Sequence, residues 1–366
     1  MRWSWRIGRV AGIDLYVHAT FLVLVGYVAL AAYGHRRLWD DAARSVLFIL
    51  VFFGVVVLHE LGHCLTARRF GIATQDITLL PIGGLARLAR LPEKPSQELL
   101  IALAGPLVNV LLGVVLYVFV RDQDPRRLLG GVRLVGGDLW TNLFAANAMM
   151  AVFNLMPAFP MDGGRVLRAL LALRLDYRRA TDLAATTGQA LAWAFGAIGL
   201  VKNPWLLIIA IFVFLGAEAE ADFVKTKSVL ANVRIQDVMV REFHALGIRD
   251  PLSRAIQHVM AGFQEDFPVV EGDKVVGVLT RKRLLEGLGR DGAAGEVGAH
   301  MVRDFRTAFL WETTSEAFQR LQDCDCRAMP VLNEGRLVGM LTAENLGEYV
   351  MIQAALKGEP VRRPRW

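Results

Sequence analysis

Phe52-Phe53-Gly54-Val55-Val56-Val57-Leu58-His59-Glu60-Leu61-Gly62-His63 is the stretch that decides how this chain is read. An apolar run of helix-like length leads straight into two histidines and a glutamate. Residues four apart share one helix face, so His59 and His63 turn both imidazoles toward one point, where a single metal ion could sit. Glu60 lies between them, where a general base could take a proton from water on that metal. Such groups are costly in hydrocarbon, so inside an apolar helix they read as a functional site rather than a polar cluster bridging helices.

Around this stretch the chain divides by composition. It has 366 residues, of which 54% are hydrophobic and 21% charged. That excludes intrinsic disorder and fits poorly with a wholly soluble protein. Residues 1–222 hold 21 Lys and Arg against 16 Asp and Glu, whereas the 144 residues that follow hold 20 and 19. The first part reads as a membrane domain (1–222) and the second as soluble. The net charge of +6 therefore belongs mostly to the membrane part, and nucleic acid is not its natural partner. Three cysteines, Cys64, Cys324 and Cys326, make no disulfide framework and point to a reducing compartment.

About six apolar stretches approach the roughly 20 residues that a bilayer requires: near 17–34, 45–65, 98–120, 139–160, 181–200 and 203–222. The fifth is the weakest, because Thr186, Thr187, Gly188 and Gln189 interrupt it. Arg2, Arg6 and Arg9 before the first span read as a cytoplasmic flank. From that start, segments 66–97 and 161–180 fall inside and carry five basic residues each. Loops 35–44 and 121–138 also carry arginines, so the charge rule holds only in part. Six spans return the soluble part to the cytoplasm.

A hydrolytic zinc site uses three protein ligands plus water. The fourth span runs in the same direction as the second and ends in Asn154-Leu-Met-Pro157-Ala-Phe-Pro160-Met-Asp162-Gly163-Gly164-Arg165. Pro157 and Pro160 end the helix and the glycine pair lets the backbone turn. That leaves Asp162 at a break at the depth of the histidines. Alone, Asp162 reads as a helix cap or a partner of Arg165; beside an intramembrane His-Glu-x-x-His it reads as the third ligand.

Those two stretches, with Leu79-Leu80-Pro81-Ile82-Gly83-Gly84 and Gly105-Pro106-Leu107-Val108-Asn109, resemble the site-2 protease family of intramembrane zinc metalloproteases over residues 8–222, with the motifs in order. The resemblance implies that His59, His63 and Asp162 bind one Zn2+ and that Glu60 activates the water that attacks a peptide bond in a substrate's transmembrane helix. Residues 71–90, too irregular for a span, resemble the family's re-entrant β-hairpin. Irregular backbone at membrane depth needs protein or a water-filled cavity around it. A free strand edge there, at Gly83 and Gly84, could pair with an unwound substrate; the bland reading is an ordinary connector. Asn109 and Asn154 could orient substrate or stabilise the oxyanion, and a structural bond between helices is nearly as good a reading for either. His18 reads as an interfacial residue, and Cys64, turned about 100° from His63 on the helix, as packing.

The soluble part repeats itself. Pro268-Val-Val-Glu-Gly-Asp-Lys-Val-Val-Gly277-Val-Leu-Thr280 recurs as Pro330-Val-Leu-Asn-Glu-Gly-Arg-Leu-Val-Gly339-Met-Leu-Thr342, and Met239 and Met301 open the two copies at the same spacing of 62 residues. Each copy reads helix, strand, turn, strand, helix. The pair resembles a tandem CBS domain, with a linker over 223–234, the pair over 235–350 (235–290 and 297–350) and a basic tail over 351–366. Such pairs often bind adenine nucleotides, which here points to Thr280, Arg283 and Thr342. The family's ribose-binding Asp is replaced by Arg283 and Asn345, so a pair that only dimerises is an equal alternative. Cys324 and Cys326 make a weak metal or redox site, and Arg362-Arg363-Pro364-Arg365-Trp366 could touch anionic lipid.

The fold expected is an α-helical membrane protein, with about six transmembrane helices and a re-entrant β-hairpin, followed by an α/β CBS tandem. The function expected is cleavage of a transmembrane segment of a single-span membrane protein (regulated intramembrane proteolysis). The expected setting is a multi-pass protein of a prokaryotic plasma membrane, N-terminus and CBS pair cytoplasmic, homodimeric through that pair. The rivals are a CBS-regulated transporter of divalent metal ions passing them through the same His/Asp site, and a non-catalytic scaffold that binds membrane helices.

Overall fold

The computed structural model describes residues 3–36, 38–88, 92, 94–123, 132, 138–231, 233–262, 264–323, 327–356 and 358. Arg2, Arg90, Arg126, Arg127, Arg133, Cys324, Cys326 and the basic end at 362–366 lie outside them. The chain divides into two compact units, Met1–Ala221 and Asp222–Trp366.

The first unit opens with a hairpin that the sequence reading did not foresee. β1 (Ser4–Val10) pairs antiparallel with β2 (Ile13–His18). The turn is Ala11-Gly12, both at positive φ, the geometry that a two-residue hairpin connection needs. Arg6 and Arg9, read as a membrane flank, lie on β1, and Arg6 meets Asp14 at 2.7 Å. β2 runs parallel to β3 (Thr74–Leu80), which pairs antiparallel with β4 (Gly83–Leu88). The expected lone hairpin is thus half of a four-stranded sheet, β1-β2-β3-β4, with β4 at an edge. Alternating Trp5, Ile7 and intervening arginines are a strand pattern, which the charge rule obscured.

Helices then follow: α1 (Ala19–Arg36), α2 (Trp39–Arg69), α3 (Pro95–Val120), α4 (Leu139–Asn154), α5 (Asp162–Ala172), α6 (Tyr177–Val201) and α7 (Trp205–Leu230). Among the described residues α2, α3 and α6 are long and apolar enough to cross a membrane, and α1 is apolar over the shorter Ala19–Gly34. About six were expected; α1 itself spans 18 residues, while α4 stops before Pro157 after 16. α7 carries Glu218, Glu220 and Asp222 in its second half. The stretch read as weakest does qualify. The Thr186 and Thr187 hydroxyls in α6 donate back to the carbonyls of Asp182 and Leu183, and Gly188 packs closely on Ala158.

One buried ionic cluster ties this unit together. Arg168 of α5 is 1% exposed. It donates to Glu98 Oε1 of α3 through Nε at 2.8 Å and Nη2 at 2.5 Å, and to Glu220 of α7 through Nη1. Its guanidinium lies 4.9 Å from the Phe159 ring centroid and 5.1 Å from that of Tyr177. α5, which begins with Asp162, is therefore held by charge from two sides.

In the second unit the repeat is visible as symmetry. The stretch expected as a linker, 223–234, is helical as far as Leu230, and Phe223 and Leu230 pack with Phe318 and Met329. The first copy holds β5 (Leu246–Gly247), α8 (Leu252–Ala261), β6 (Phe267–Glu271), β7 (Lys274–Leu279) and α9 (Arg281–Asp291). The second holds α10 (Val297–His300), β8 (Ala308–Phe309), α11 (Thr314–Asp323), β9 (Ala328–Asn333), β10 (Arg336–Thr342) and α12 (Ala343–Leu356). The basic tail expected from 351 begins as the last turns of α12. The copies exchange their leading segments: Val240 bridges to Met340 on β10, and Val302 to Val278 on β7. Gly277 and Gly339 make room, since a Cβ at either would meet the main-chain oxygen of Val302 or Val240 at 3.0 Å. Each copy therefore needs the other to complete its sheet edge.

Replacing Arg168 by Ala leaves Glu98, itself 4% exposed, without its cation, a loss of about 3–5 kcal/mol. The thermal midpoint of the detergent-solubilised protein should fall markedly. Arg168→Lys should recover only part of the loss, because an ammonium cannot fork between two carboxylates and stack on rings.

Candidate metal centre

α2 is buried along one stripe that includes Phe53, Val56, His59, His63 and Ala67, so the helix period alone turns both imidazoles inward. The chain break after α4 supplies the opposing group. Asp162 is the first residue of α5, where a carboxylate also suits the positive end of the helix dipole. A Cβ at Gly163 would meet the main-chain oxygens of Leu155 and Met156, and one at Gly164 the backbone of Ala158 and Phe159 at 2.6 Å. The glycine pair lets α5 begin against the turn that precedes it.

Three atoms converge. His59 Nε2 and His63 Nε2 lie 3.2 Å apart, and Asp162 Oδ2 lies 3.2 Å from the first and 3.1 Å from the second. The three residues form a buried group able to hold a metal ion. The outer nitrogens are committed elsewhere. His59 Nδ1 donates to Asn109 Oδ1 at 2.9 Å, and His63 Nδ1 donates to the Ile101 carbonyl at 2.7 Å. Both partners are acceptors, so the protons sit on Nδ1 and the Nε2 lone pairs face inward. Two lone pairs opposed at that range are repulsive unless a cation lies between them. Zinc bonds of about 2.05 Å in a tetrahedron set ligand atoms about 3.3 Å apart, close to the observed spacing. The donor set and its triangle fit Zn2+.

Neighbouring backbone gives these rings their space. Gly105 of α3 lies against both: a Cβ there would meet His59 Cε1 at 2.7 Å and His63 Cε1 at 2.6 Å. Pro106 follows inside α3 and removes the amide that the Ala102 carbonyl would otherwise accept. Gly62 packs on the Ala104 carbonyl at 2.8 Å from its would-be Cβ. Glu60 stands half-buried beside the triangle. Gly84 of β4 approaches it so closely that a Cβ would lie 2.6 Å from Glu60 Cγ.

The other expected residues are dispersed. Gly83 closes the β3–β4 hairpin at φ +138°. Asn109 backs His59, and Asn154 is the half-buried last residue of α4. His18 Nδ1 accepts from Thr20 at the junction of β2 and α1, and Cys64 packs with Ile13, Leu61 and Ile77. In the second unit Thr280 and Thr342 are caps, their hydroxyls accepting the Arg283 amide at 3.3 Å and the Asn345 amide at 3.1 Å. Arg283 pairs with Glu286 at 3.3 Å. The reading from sequence missed the Ile101 carbonyl, which no residue type announces, and Asn147, whose polar side chain in an apolar helix was a usable signal.

Both parts of the chain match known families. The model of peptidase family M50 matches residues 47–123 and 136–195, and that of the CBS domain matches residues 235–290 and 296–351. A zinc metalloprotease of Methanocaldococcus jannaschii is 36% identical over 285 residues, 76% of this chain and 78% of its own length. The Mycobacterium tuberculosis protein Rip3 is 27% identical over 98% of this chain and 96% of its own. Among solved structures, a site-2 protease from Methanocaldococcus jannaschii, 36% identical, covers 60% of this chain and 95% of its own with a TM-score of 0.44.

Gly105→Ala should abolish metal retention, since its methyl group would displace both imidazoles. Zinc measured by mass spectrometry in the purified protein should drop to near zero. Gly54→Ala on α2, where a Cβ meets nothing within 4 Å, should leave the content unchanged.

Proposed function

The chain belongs to peptidase family M50 and is a membrane zinc metalloprotease with a CBS domain pair, and from that membership we propose that it cleaves a transmembrane segment of a single-span membrane protein. The observation that carries this reading is the triangle of His59 Nε2, His63 Nε2 and Asp162 Oδ2 with edges of 3.1–3.2 Å, standing beside the Glu60 carboxylate. We assign the first three residues to zinc and Glu60 to proton transfer. Bound zinc supplies an acidified water and a polarised carbonyl. Glu60 accepts the proton from the attacking water on its carboxylate and returns it to the leaving amide nitrogen.

A helical peptide bond is shielded by its own hydrogen bonds, so substrate must be extended before attack. β4 offers an edge for that, and its Gly84 backbone lies against Glu60. A substrate strand added along β4 would bring its main chain to the carboxylate, with Gly83 and Gly84 leaving room for it. Asn154, at the end of α4, is assigned to the substrate or oxyanion side, and Asn109 to His59. We place the N-terminus and the CBS pair in the cytoplasm of a multi-pass protein, with the pair acting as a nucleotide-sensing or dimerising regulator. The Thr280 and Thr342 hydroxyls keep a proton to donate to a ligand. A metal transporter using the same triangle is disfavoured, because its relatives are named zinc metalloproteases and Glu60 has no task in it.

Glu60→Gln should keep one zinc per chain while cleavage falls at least about 100-fold. Comparative proteomics of cells carrying either protein should then reveal a membrane protein that accumulates uncut. Cleavage at the wild-type rate would overturn the assignment. Calorimetric titration of the full chain with ATP, ADP and AMP tests the sensing role: heat with any of them supports it, and none with all three leaves the pair a dimerising element.

A further inference from the structure

Asn109 is 0% exposed and Asn147 1% exposed, both in helices of low polarity. Neither is a metal ligand, and neither reaches the reacting groups. Their hydrogen bonds are asymmetric. Asn109 Oδ1 accepts from His59 Nδ1 at 2.9 Å, whereas its Nδ2, although buried, has no hydrogen-bond partner among the described residues. Asn147 Nδ2 on α4 donates to the main-chain oxygen of Asn109 on α3 at 2.8 Å, close enough to Gly113 that a Cβ there would lie 3.3 Å away. Among the described residues, every bond that Asn109 makes through its side chain therefore goes to His59.

That matters because a neutral imidazole has a free lone pair on only one nitrogen. An acceptor opposite Nδ1 holds the proton there and leaves the Nε2 lone pair for the metal. Were the carboxamide reversed, Nδ2 would face Nδ1, the proton would move to Nε2, and Nε2–H would point at Asp162 Oδ2, 3.2 Å away. The ring would then be a donor and no ligand. His63 has no such freedom, since its partner is the Ile101 carbonyl, which cannot reverse. The metal centre thus has one side chain on which a histidine tautomer depends.

We propose that Asn109 is a positioning residue that selects the metal-binding tautomer of His59, and that Asn147 holds it in register by clamping α3 to α4 at that residue. This rests on the reading of His59 as a zinc ligand and deepens it. A carboxylate would do the same work: Asp at position 109 keeps the acceptor and gives up only an amide that has no partner. A merely structural carboxamide would not tolerate that exchange.

The test measures zinc dissociation constants of the full-length protein in detergent by competition with a chromophoric chelator, with thermal midpoints of the zinc-free forms alongside. Asn109→Leu should weaken zinc about 10–100-fold, while Asn109→Asp binds at least as tightly as wild type. Asn147→Leu should weaken zinc by up to about tenfold and leave the zinc-free midpoint near that of wild type. Wild-type affinity in Asn109→Leu would overturn the proposal. So would equal losses of affinity and midpoint in Asn109→Leu and Asn109→Asp, which mark a packing role. Should wild type itself bind no zinc, or His59→Ala bind it undiminished, the ligand assignment of His59 fails rather than the tautomer inference alone.

Discussion

Burying two imidazoles and a carboxylate among apolar helices is the constraint on which the first unit is built. A polar atom removed from water costs free energy unless it finds a partner, and one left unpaired can take a sizeable part of a domain's net stability. The structure meets this in layers. The inner nitrogens and the carboxylate oxygen face one another across about the edge of a zinc tetrahedron, and the outer nitrogens are bound to an amide oxygen and a main-chain carbonyl. The centre is therefore preorganised from outside inward, and the elements that carry it, α2, α3 and α5, are fixed by what the histidines and Asp162 require.

Close approach does the rest. At four places the absence of a side chain, rather than its presence, shapes the centre: Gly62 against α3, Gly105 against both rings, Gly84 against Glu60, and the Gly163-Gly164 pair under the start of α5. A methyl group at any of them would push a ligand, a base or a helix out of line. The Arg168 cluster plays the complementary part by charge, tethering the helix that begins with Asp162 to Glu98 and Glu220. Losing one member of such a cluster leaves a buried charge uncompensated, so α5 is not easily displaced from α3 and α7.

The second unit solves a different problem by repetition. A helix-strand-strand-helix copy has too little core to stand well alone. Exchange of the Val240 and Val302 segments gives each sheet an edge from the other copy. Phe267, Val269 and Leu279 fill one core, and Phe318, Met329 and Leu341 the other. The two threonines of the repeat are equivalent in structure as in sequence, each capping the helix that follows it.

Much of this was legible in the residues. The period of a helix places His59 and His63 on one face, the proline–glycine break brings a carboxylate to the end of an apolar stretch, and a gapless offset of 62 residues declares a duplicated domain. What escaped was what depends on partners distant in the chain. The pairing of β1 and β2 with the 74–88 hairpin, and the helical run of α7 through a presumed linker, follow from docking rather than local pattern. So do the Ile101 carbonyl behind His63 and the meeting of Asn109 with Asn147. Local periodicity determines which groups share a face, because it is set by the backbone's own geometry. Which face meets which, and so which nitrogen of His59 keeps its proton, is decided only when separate helices pack, since hydrogen-bond partners are supplied by neighbours in space.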